Sequence, residues 1–544
     1  MNHASARLDE LGEAVRPHAG GDDLGLLTEA YRAALHGLAT LTLGGRMVCS
    51  DGSDRYTVGP YCPSSEQSPA EQPPRKESKT VRSRLLAALA AAMALVTTLV
   101  TALTLQALPA AAQDDLLDRL KAIPGLTVVS ESQPAGYRFF VLTFTQPADH
   151  RDPAKGTFQQ RLTLLHRSTA APVVLYTGGY GLPVNPTASR TEPTQLLDGN
   201  QVSVEHRFFR TSRPAPADWD DLTIWQEATD EHRIVQALKT IYSGKWIQTG
   251  ASKGGMTSVY HRRFYPGDVD GVVAYVAPND PVNPLDHQYD RFFARVGPES
   301  CRTALENVQR EALKRRDRMV ALLEADAARN GYTFTRTLGS ADRSFEMTIL
   351  DTAWAFWQYL SVDDCPSVPP TTATDAELYA WIDGVAFFGF YTDQGLDYYL
   401  PYYYQAATQL GWPDLAFRHL RGLTRYRGLY QPNSVLPAEL RSRHDPRPML
   451  DVDRWVRTRS ERMLFVYGEN DPWSAERFTP SGRDSHLYVA PGSNHGASIA
   501  RLTEADRAAA TATLRRWAEP PLAQRLPEAA DLPADDMLTG RRTR

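Results

Sequence analysis

Residues 246–257 read Trp-Ile-Gln-Thr-Gly-Ala-Ser-Lys-Gly-Gly-Met-Thr, and this stretch decides the fold. A run that predicts a buried strand leads directly into the pattern Gly-x-Ser-x-Gly at residues 250–254. That pattern is typical of a nucleophile elbow, in which a sharp turn between a strand and a helix exposes the serine hydroxyl. The glycines permit the strained turn and the close passage of neighbouring backbone. Ser252 is therefore the candidate nucleophile.

Two loops further along the chain supply the partners that a nucleophilic serine needs. Residues 462–467 predict a buried strand, and Asp471 follows it in Gly-Glu-Asn-Asp-Pro-Trp. Residues 486–490 predict the last strand, and His495 follows it in a loop of small residues. The order Ser, Asp, His is that of the α/β-hydrolase fold. Because parallel strands bring their carboxyl ends to one edge of a sheet, we expect Ser252, Asp471 and His495 to converge there.

The chemistry of a nucleophilic serine explains why each of these residue types is needed. A serine hydroxyl attacks poorly until an imidazole takes its proton, and a carboxylate fixes the imidazole tautomer. Glu469 and Asp484 are the competing carboxylates for the acid position. The individual signals are weak, but their order and their places after strand-like runs favour the triad.

The developing oxyanion needs two preorganised N–H donors. The residue after the nucleophile, Lys253, supplies one backbone amide. Residues 172–176 predict an early strand, and the Gly-rich turn 177–181 follows it. We expect the second donor to be the amide of Gly179 or of Tyr180.

Several stretches resemble the prolyl carboxypeptidase and dipeptidyl peptidase II group of serine peptidases, namely 144–150, 157–161, 205–209 and 468–473. The elbow with Lys253 after the serine is similar to that of the related bacterial PS-10 (S37) peptidases. The resemblance covers about residues 114–520. Ala148, where the larger group has a bigger apolar residue, and Lys253 both favour the S37 branch.

The resemblance implies a tripeptidyl or prolyl aminopeptidase that releases short peptides, often after proline, from free N-termini. A free α-ammonium group needs a carboxylate, for which Glu205 is a candidate; the alternative is a structural partner of Arg207 or of a nearby amide. Trp473 is a candidate wall for a proline subsite, or else part of the core. A secreted carboxylesterase or lipase with the same triad, and an inactive binding protein on a hydrolase scaffold, remain alternatives.

Composition narrows the classes of partner. The chain has 544 residues, of which 42% are hydrophobic and 23% charged, with a net charge of −5. That balance does not indicate a nucleic-acid partner. No metal-binding, Rossmann or P-loop motif occurs in a supporting context. We therefore predict no metal or organic cofactor, and peptides with a free N-terminus as the partners.

The N-terminal region predicts export. Residues 85–113 carry no charge, five basic residues precede them within ten positions, and Ala-Ala-Ala-Gln closes the run. This is the pattern of a secretory signal peptide at 81–112, cleaved after Ala112. Residues 85–108 are also long enough to anchor the protein in a membrane if cleavage fails. Because signal peptides begin near the initiator, we interpret residues 1–80 as a non-native or disordered extension, with a start such as Val81.

Removing everything up to Ala112 leaves two of the four cysteines, Cys301 and Cys365. In an exported protein they can form one disulfide, and the alternative is two buried free thiols.

The remaining chain divides by its pattern. Residues 113–282 alternate strands and helices and predict the first part of an α/β-hydrolase core with a mostly parallel sheet. Residues 283–445 predict a mainly helical cap, with long helices at 303–328 and 344–360. Residues 446–520 predict the second part of the core, and 521–544 a flexible tail.

Overall fold

The computed structural model describes residues 116–134, 136–282, 286–519 and 532–533. The predicted extension at 1–80 and the signal peptide or anchor at 81–112 lie outside these residues, as does the tail at 521–544 apart from 532–533. Within the described ranges, no helix has both the length and the apolar character that a membrane crossing requires. All the elements below belong to one compact unit, Leu117–Arg544.

A nine-stranded sheet forms the centre of this unit, in the order β1-β2-β3-β5-β4-β6-β7-β8-β9. Strands β1 to β3 and β5 pair antiparallel, and all the pairings from β5 through β4 to β9 are parallel. The strands are β1 Leu126–Ser132, β2 Arg138–Pro147, β3 Thr157–His166, β4 Val173–Thr177, β5 Asn200–Val204, β6 Trp246–Ala251, β7 Gly271–Tyr275, β8 Met463–Gly468 and β9 His486–Ala490.

Burial follows the sheet topology. Strands β4 to β8 are buried at every position, as expected for parallel strands covered on both faces. The alternating parallel pattern that the sequence predicts from residue 113 begins only at β4, because the first three strands form an antiparallel meander. The sequence pattern does not predict strand β1, because most of its residues are partly or fully exposed.

Helices cover both faces of the sheet and fill the insertion between β7 and β8. They are α1 Glu192–Leu197, α2 Ile224–Leu238, α3 Lys253–Phe264, α4 His287–Phe293, α5 Glu299–Lys314, α6 Arg316–Asn330, α7 Ala341–Tyr359, α8 Asp375–Ala386, α9 Asp393–Asp397, α10 Leu400–Gln405, α11 Arg447–Arg459 and α12 Glu504–Ala518.

Alternation along β6 shows how the two faces are covered. Ile247 packs into an apolar cluster with Leu514 and Trp517 of α12. The next side chain, Gln248, donates to Glu231 of α2 and pairs with His261 of α3. Because successive side chains of a strand point to opposite faces, α12 lies on one side of the sheet and α2 and α3 on the other.

The described residues between β7 and α11 contain helices and turns but no strand of the sheet. The single long helix predicted at 303–328 is wrong: the chain breaks at Arg315, whose φ of −95° and ψ of 16° lie outside the helical range. The break follows from buried charge, because Arg316 is only 3% exposed and pairs with Asp342 and Glu346 of α7. A continuous helix pattern in the sequence does not reveal that tertiary pairing.

A disulfide joins Cys301 of α5 to Cys365 in the turn after α7. The two residues are 64 positions apart, so the bond closes a long loop around α6 and α7. In the chain-entropy model, closing a loop of this size in the unfolded state stabilises the folded protein.

We expect the double substitution Cys301→Ala/Cys365→Ala to lower the free energy of unfolding by about 2–4 kcal/mol, because the unfolded chain regains loop entropy. Urea unfolding of the variant and the native protein measures the difference. Peptide mapping without reduction should recover the two cysteines in one cross-linked fragment. Recovery of both as alkylated free thiols would contradict the bond.

Candidate active site

The turn at Ser252 is strained and tightly enclosed. Ser252 has φ 56° and ψ −125° and caps the start of α3. A Cβ on Gly250 would lie 2.4 Å from the Gly254 carbonyl carbon, and a Cβ on Gly254 would lie 2.1 Å from the Thr177 oxygen. Both distances are too short for any side chain, so only glycine fits at either position. The sequence therefore permits this turn by placing glycine, which has no side chain, where three segments of backbone meet.

Backbone hydrogen bonds fix the turn on both sides. The Ser252 amide donates to the Tyr275 oxygen of β7 over 2.9 Å, and the Met256 amide donates to the Ser252 oxygen over 3.0 Å. Ser252 itself is half-buried, and it lines a small pocket with Trp473 of the β8–β9 loop and Tyr402 of α10. The candidate nucleophile thus lies where the sheet edge meets the helical insertion.

Asp471 and His495 are in direct contact. Asp471 is fully buried, and its Oδ1 lies 2.9 Å from His495 Nδ1. Its two oxygens also accept from the Ser474 hydroxyl at 2.6 Å and the Trp473 amide at 3.2 Å. These donors hold the carboxylate in one orientation.

The competing carboxylates are engaged elsewhere. Glu469 accepts from the Gly492 amide over 2.8 Å. Asp484 pairs with Arg516, which holds the pKa of Asp484 well below its usual range. Of the three carboxylates considered from the sequence, only Asp471 contacts His495.

His495 keeps one ring nitrogen available. It is 2% exposed, and within the described part of the chain Nε2 has no hydrogen-bond partner. The ring centroid lies 6.4 Å from that of Trp473, which lines the Ser252 pocket. Bonds between a catalytic base and its nucleophile commonly tighten only when substrate binds, so a free Nε2 beside this pocket suits a general base.

The loop after β4 lies against the elbow. A Cβ on Gly179 would lie 2.8 Å from the Gly254 nitrogen, so this loop and the start of α3 are in contact. The Gly179 amide donates to Thr177 Oγ1 over 3.2 Å. No described group accepts from the Tyr180 amide, which makes it the better of the two predicted second donors. The Lys253 amide is in the first turn of α3, where helix N–H groups have no intrahelical partner.

The Lys253 side chain has a role that the sequence does not reveal. It is 1% exposed, and its Nζ donates to the Gly179 oxygen over 2.6 Å. The Tyr180 and Phe209 rings each lie 5.5 Å from the same nitrogen. Burial lowers the pKa of Lys253 to about 7, against the attraction of the Glu227 and Glu231 carboxylates. The side chain therefore ties the predicted oxyanion loop to the elbow.

Glu205 is the predicted ligand for an ammonium group, but its carboxylate oxygens already accept hydrogen bonds from within the protein. It is completely buried, and it accepts from the Ser212 hydroxyl at 2.7 Å, Arg161 at 3.2 Å and the Leu182 amide at 2.8 Å. It does not line the Ser252 pocket. The arrangement corresponds to the structural alternative, although Arg161, rather than Arg207, is the charged partner.

Arg207 instead belongs to a buried support behind the elbow. Its guanidinium pairs with Asp230 at 2.6 Å and donates to the oxygens of Ala148 and Asp221. Asp230 also contacts His150 at 2.6 Å. The stretches at 144–150 and 205–209, which carry the resemblance to a peptidase group, therefore meet in one ion-pair network.

Trp473 is half-buried beside the site. Its indole nitrogen donates to Gln358 of α7 over 3.0 Å, and its ring packs on Trp354 and Trp412 at centroid distances of 4.7 and 5.6 Å. One face contributes to the Ser252 pocket, and the rest is packed against the helical insertion. Its predicted use as a proline wall stays a prediction.

One group among the described residues has the spacing of a cation site, consisting of Asp280, Asp286 and Glu476. The sequence predicts no metal, and no motif in it marks these three residues. Asp280 lines the same pocket as Ser252, so the group is considered further below.

We expect Lys253→Met to slow phosphonylation of Ser252 by a fluorophosphonate at least about tenfold, because the loop carrying the Tyr180 amide loses its tether; loss of one oxyanion donor typically costs about 10²–10³ in rate. The rate is measured by time-resolved mass spectrometry. Lys245→Met, at a half-exposed lysine before β6 that pairs with Asp270, is the control. An unchanged rate in folded Lys253→Met protein would show that the side chain does not position the loop.

The chain is similar to several known proteins. A prolyl tri/tetrapeptidyl aminopeptidase of Streptomyces mobaraensis is 53% identical over 412 residues, which cover 75% of this chain and 86% of the relative. Among solved structures, proline iminopeptidase of Mycobacterium smegmatis is similar at 15% identity, with 69% of this chain and 99% of that chain covered and a TM-score of 0.34. The structure of VinJ is similar at 14% identity, with coverage of 72% and 100% and a TM-score of 0.34.

The family model for PS-10 peptidase S37 matches residues 108–537, which include every element of the sheet and the whole helical insertion. The mostly parallel sheet with its elbow after β6 is that of an α/β-hydrolase. The chain therefore belongs to the PS-10 peptidase S37 family of serine peptidases.

Proposed function

We propose that this protein is a secreted serine exopeptidase that releases short peptides, chiefly tripeptides and often after proline, from free N-termini through an acyl-enzyme on Ser252. The observation that carries the proposal is the 2.9 Å contact between Asp471 and His495, whose Nε2 has no hydrogen-bond partner among the described residues. The name of the Streptomyces mobaraensis relative supports the length and residue preference of the product.

The residues suggest roles in an acyl-transfer reaction. Ser252 Oγ attacks the scissile carbonyl while His495 Nε2 accepts its proton, and the Asp471 carboxylate stabilises the resulting imidazolium. The Lys253 and Tyr180 amides stabilise the oxyanion. His495 then returns the proton to the leaving amine as the C–N bond breaks, and a water molecule, deprotonated by His495, hydrolyses the ester on Ser252.

The helical insertion supports an exopeptidase over an enzyme that cuts within long chains. Tyr402, Leu410 and Gly411 of the insertion line the pocket opposite Ser252 and Met256. A peptide that reaches Ser252 must therefore enter a space closed by the insertion on one side and by Trp473 on another. A narrow, closed space of this kind accommodates a chain end more readily than a folded loop.

Activity assays separate the proposed peptidase from an esterase and from an inactive scaffold. We expect the protein to hydrolyse Ala-Ala-Pro-p-nitroanilide and to release intact tripeptides from longer peptides. Ser252→Ala should abolish turnover, and Asp471→Asn should lower kcat by about 10⁴ because His495 adopts the wrong tautomer. Glu469→Gln, at the nearby carboxylate that does not contact His495, is the control.

Hydrolysis of p-nitrophenyl esters with no turnover of any amide would identify an esterase instead. Absence of turnover on both substrate classes would identify a binding protein.

Export is proposed from the signal-like segment at 81–112 and is supported by the Cys301–Cys365 bond, since disulfides persist in oxidising compartments. N-terminal sequencing of the protein recovered from culture medium should give Gln113 as the first residue. A mature N-terminus before residue 80 would rule out the downstream start, and retention in the membrane fraction would show that residues 85–108 remain as an anchor.

A further inference from the structure

Three carboxylates meet at the edge of the sheet that carries Ser252. Asp280 follows β7, Asp286 precedes α4, and Glu476 lies five residues after the proposed catalytic acid, Asp471. One oxygen from each carboxylate lies within 4.8 Å of the other two. Asp280 also lines the pocket that contains Ser252. The mechanism described above uses none of the three.

Two of these carboxylates are buried, and each has one oxygen that accepts no hydrogen bond from the described residues. Asp280 and Asp286 are 2% and 4% exposed, and that oxygen is Oδ1 in each. No described basic side chain forms an ion pair with Asp280, Asp286 or Glu476. A buried carboxylate oxygen without a partner is costly. A proton shared between Asp280 and Asp286 offsets that cost, and a cation among the three carboxylates would offset it with all of them ionised.

The raised pKa values of the three carboxyl groups also indicate that the group would be stabilised by a cation. Burial and the neighbouring Asp286 charge raise the pKa of Asp280. Burial raises the pKa of Asp286 to about 7, and burial with the charge of Asp453 raises that of Glu476 to about 7. A cation placed among the three would relieve this repulsion and favour their ionised forms.

The remaining contacts hold the group in place without using the free oxygens. The Tyr289 hydroxyl donates to Asp280 Oδ2 over 3.4 Å, and the Asp414 amide donates to Asp286 Oδ2 over 2.6 Å. The Asn279 amide donates to the Glu476 backbone oxygen over 3.1 Å, which joins the loop after β7 to the loop after β8. The site is therefore preorganised, since ligand binding need not assemble it.

The group lies beside the candidate nucleophile. Strands β6 and β7 are neighbours in the sheet, and Asp280, which follows β7, lines the same pocket as Ser252, which follows β6. A peptide whose scissile carbonyl lies at Ser252 therefore has this carboxylate within the same pocket.

We propose that Asp280, Asp286 and Glu476 bind the α-ammonium group of the substrate's free N-terminus. The inference rests on the proposed exopeptidase function and adds to it the subsite that makes the enzyme require a chain end. An ammonium group has three N–H donors, and three acceptors at about 2.8 Å around a tetrahedral nitrogen stand about 4.6 Å apart. The three carboxylate oxygens all lie within 4.8 Å of one another, so one ammonium nitrogen can contact all of them.

The geometry favours an ammonium group over a divalent metal ion. Calcium takes about six to eight oxygen ligands at 2.3–2.6 Å. The described group offers three carboxylates, of which Asp280 lines the pocket that contains Ser252. The group also replaces Glu205 as the candidate ligand, because the Glu205 oxygens already accept from Ser212, Arg161 and the Leu182 amide.

The test compares Ala-Ala-Pro-p-nitroanilide with its N-acetyl analogue on four proteins: the native enzyme, Asp280→Asn, Glu476→Gln and Asp451→Asn. Asp451 is the matched control, because it lies on α11 and pairs with Arg263. Titration of Ser252 with a fluorophosphonate counts the folded active sites in each preparation. Glu476 is half-buried, so Glu476→Gln provides a second route if Asp280→Asn does not fold.

We expect the native enzyme to prefer the free amine by at least about 100-fold in kcat/KM. Asp280→Asn should reduce that preference by about 30- to 1,000-fold, mainly through KM, because a buried charge pair is lost. Glu476→Gln should reduce it at least about tenfold, and Asp451→Asn should leave it within about twofold. Activity on the acetylated analogue should be similar in all four proteins.

An unchanged preference in Asp280→Asn and Glu476→Gln, with the native enzyme active, would overturn this inference and leave the proposed function intact. Failure of the native enzyme to cleave either anilide would overturn both. Loss of the preference on dialysis against EDTA, with recovery on adding Ca²⁺, would overturn the inference by showing that the group holds a metal ion.

Discussion

The close approach of backbone around Ser252 is the constraint on which the rest of the site depends. The end of β6, the start of α3 and the Thr177 carbonyl meet with no room for a Cβ on Gly250 or Gly254. Holding Ser252 at φ 56° costs on the order of 1–3 kcal/mol, which the surrounding sheet and helix offset. In return, the turn places the serine, the Lys253 amide and the oxyanion loop within contact of one another.

Long-range polar contacts then connect this turn to the rest of the molecule. The Lys253 ammonium group joins the elbow to Gly179, and the buried pair of Arg207 and Asp230 lies behind it. On the other side, Gln358 of α7 accepts from the Trp473 indole with its side chain and from the His495 amide with its backbone oxygen. The helical insertion therefore positions the loops of the proposed acid and base as well as covering the pocket.

The proposed triad and the three carboxylates lie at one edge of the sheet. The triad follows β6, β8 and β9, and the three carboxylates follow β7 and β8. Parallel strands bring the loops at their carboxyl ends to the same edge, so the proposed binding group lies near the proposed nucleophile.

The parts of the site that the sequence predicts are those with a local pattern. Glycines around a serine, and a carboxylate or histidine directly after an apolar run, reveal Ser252, Asp471 and His495 as candidates, and the structure brings Asp471 and His495 into contact. The bond from Lys253 to Gly179 joins residues 74 positions apart, and no local pattern marks it. Asp280 has a weak signal, as a carboxylate shortly after a buried strand on the same edge.

Errors in the predicted fold have the same origin. The break at Arg315 depends on the pairing of Arg316 with α7, and the exposed edge strand β1 lacks a hydrophobic pattern of its own. For Glu205, the family pattern marks an important residue but does not distinguish support from substrate contact. The structure makes that distinction, because three protein donors occupy its oxygens.

A crystal structure of the covalent fluorophosphonate adduct would show whether Ser252, His495 and the two amides act on the same group. We expect a bond from phosphorus to Ser252 Oγ, a phosphoryl oxygen about 3 Å from the Lys253 and Tyr180 amides, and His495 Nε2 within hydrogen-bonding distance of the adduct. Phosphorus bound to another residue, or a phosphoryl oxygen that faces away from both amides, would contradict that expectation.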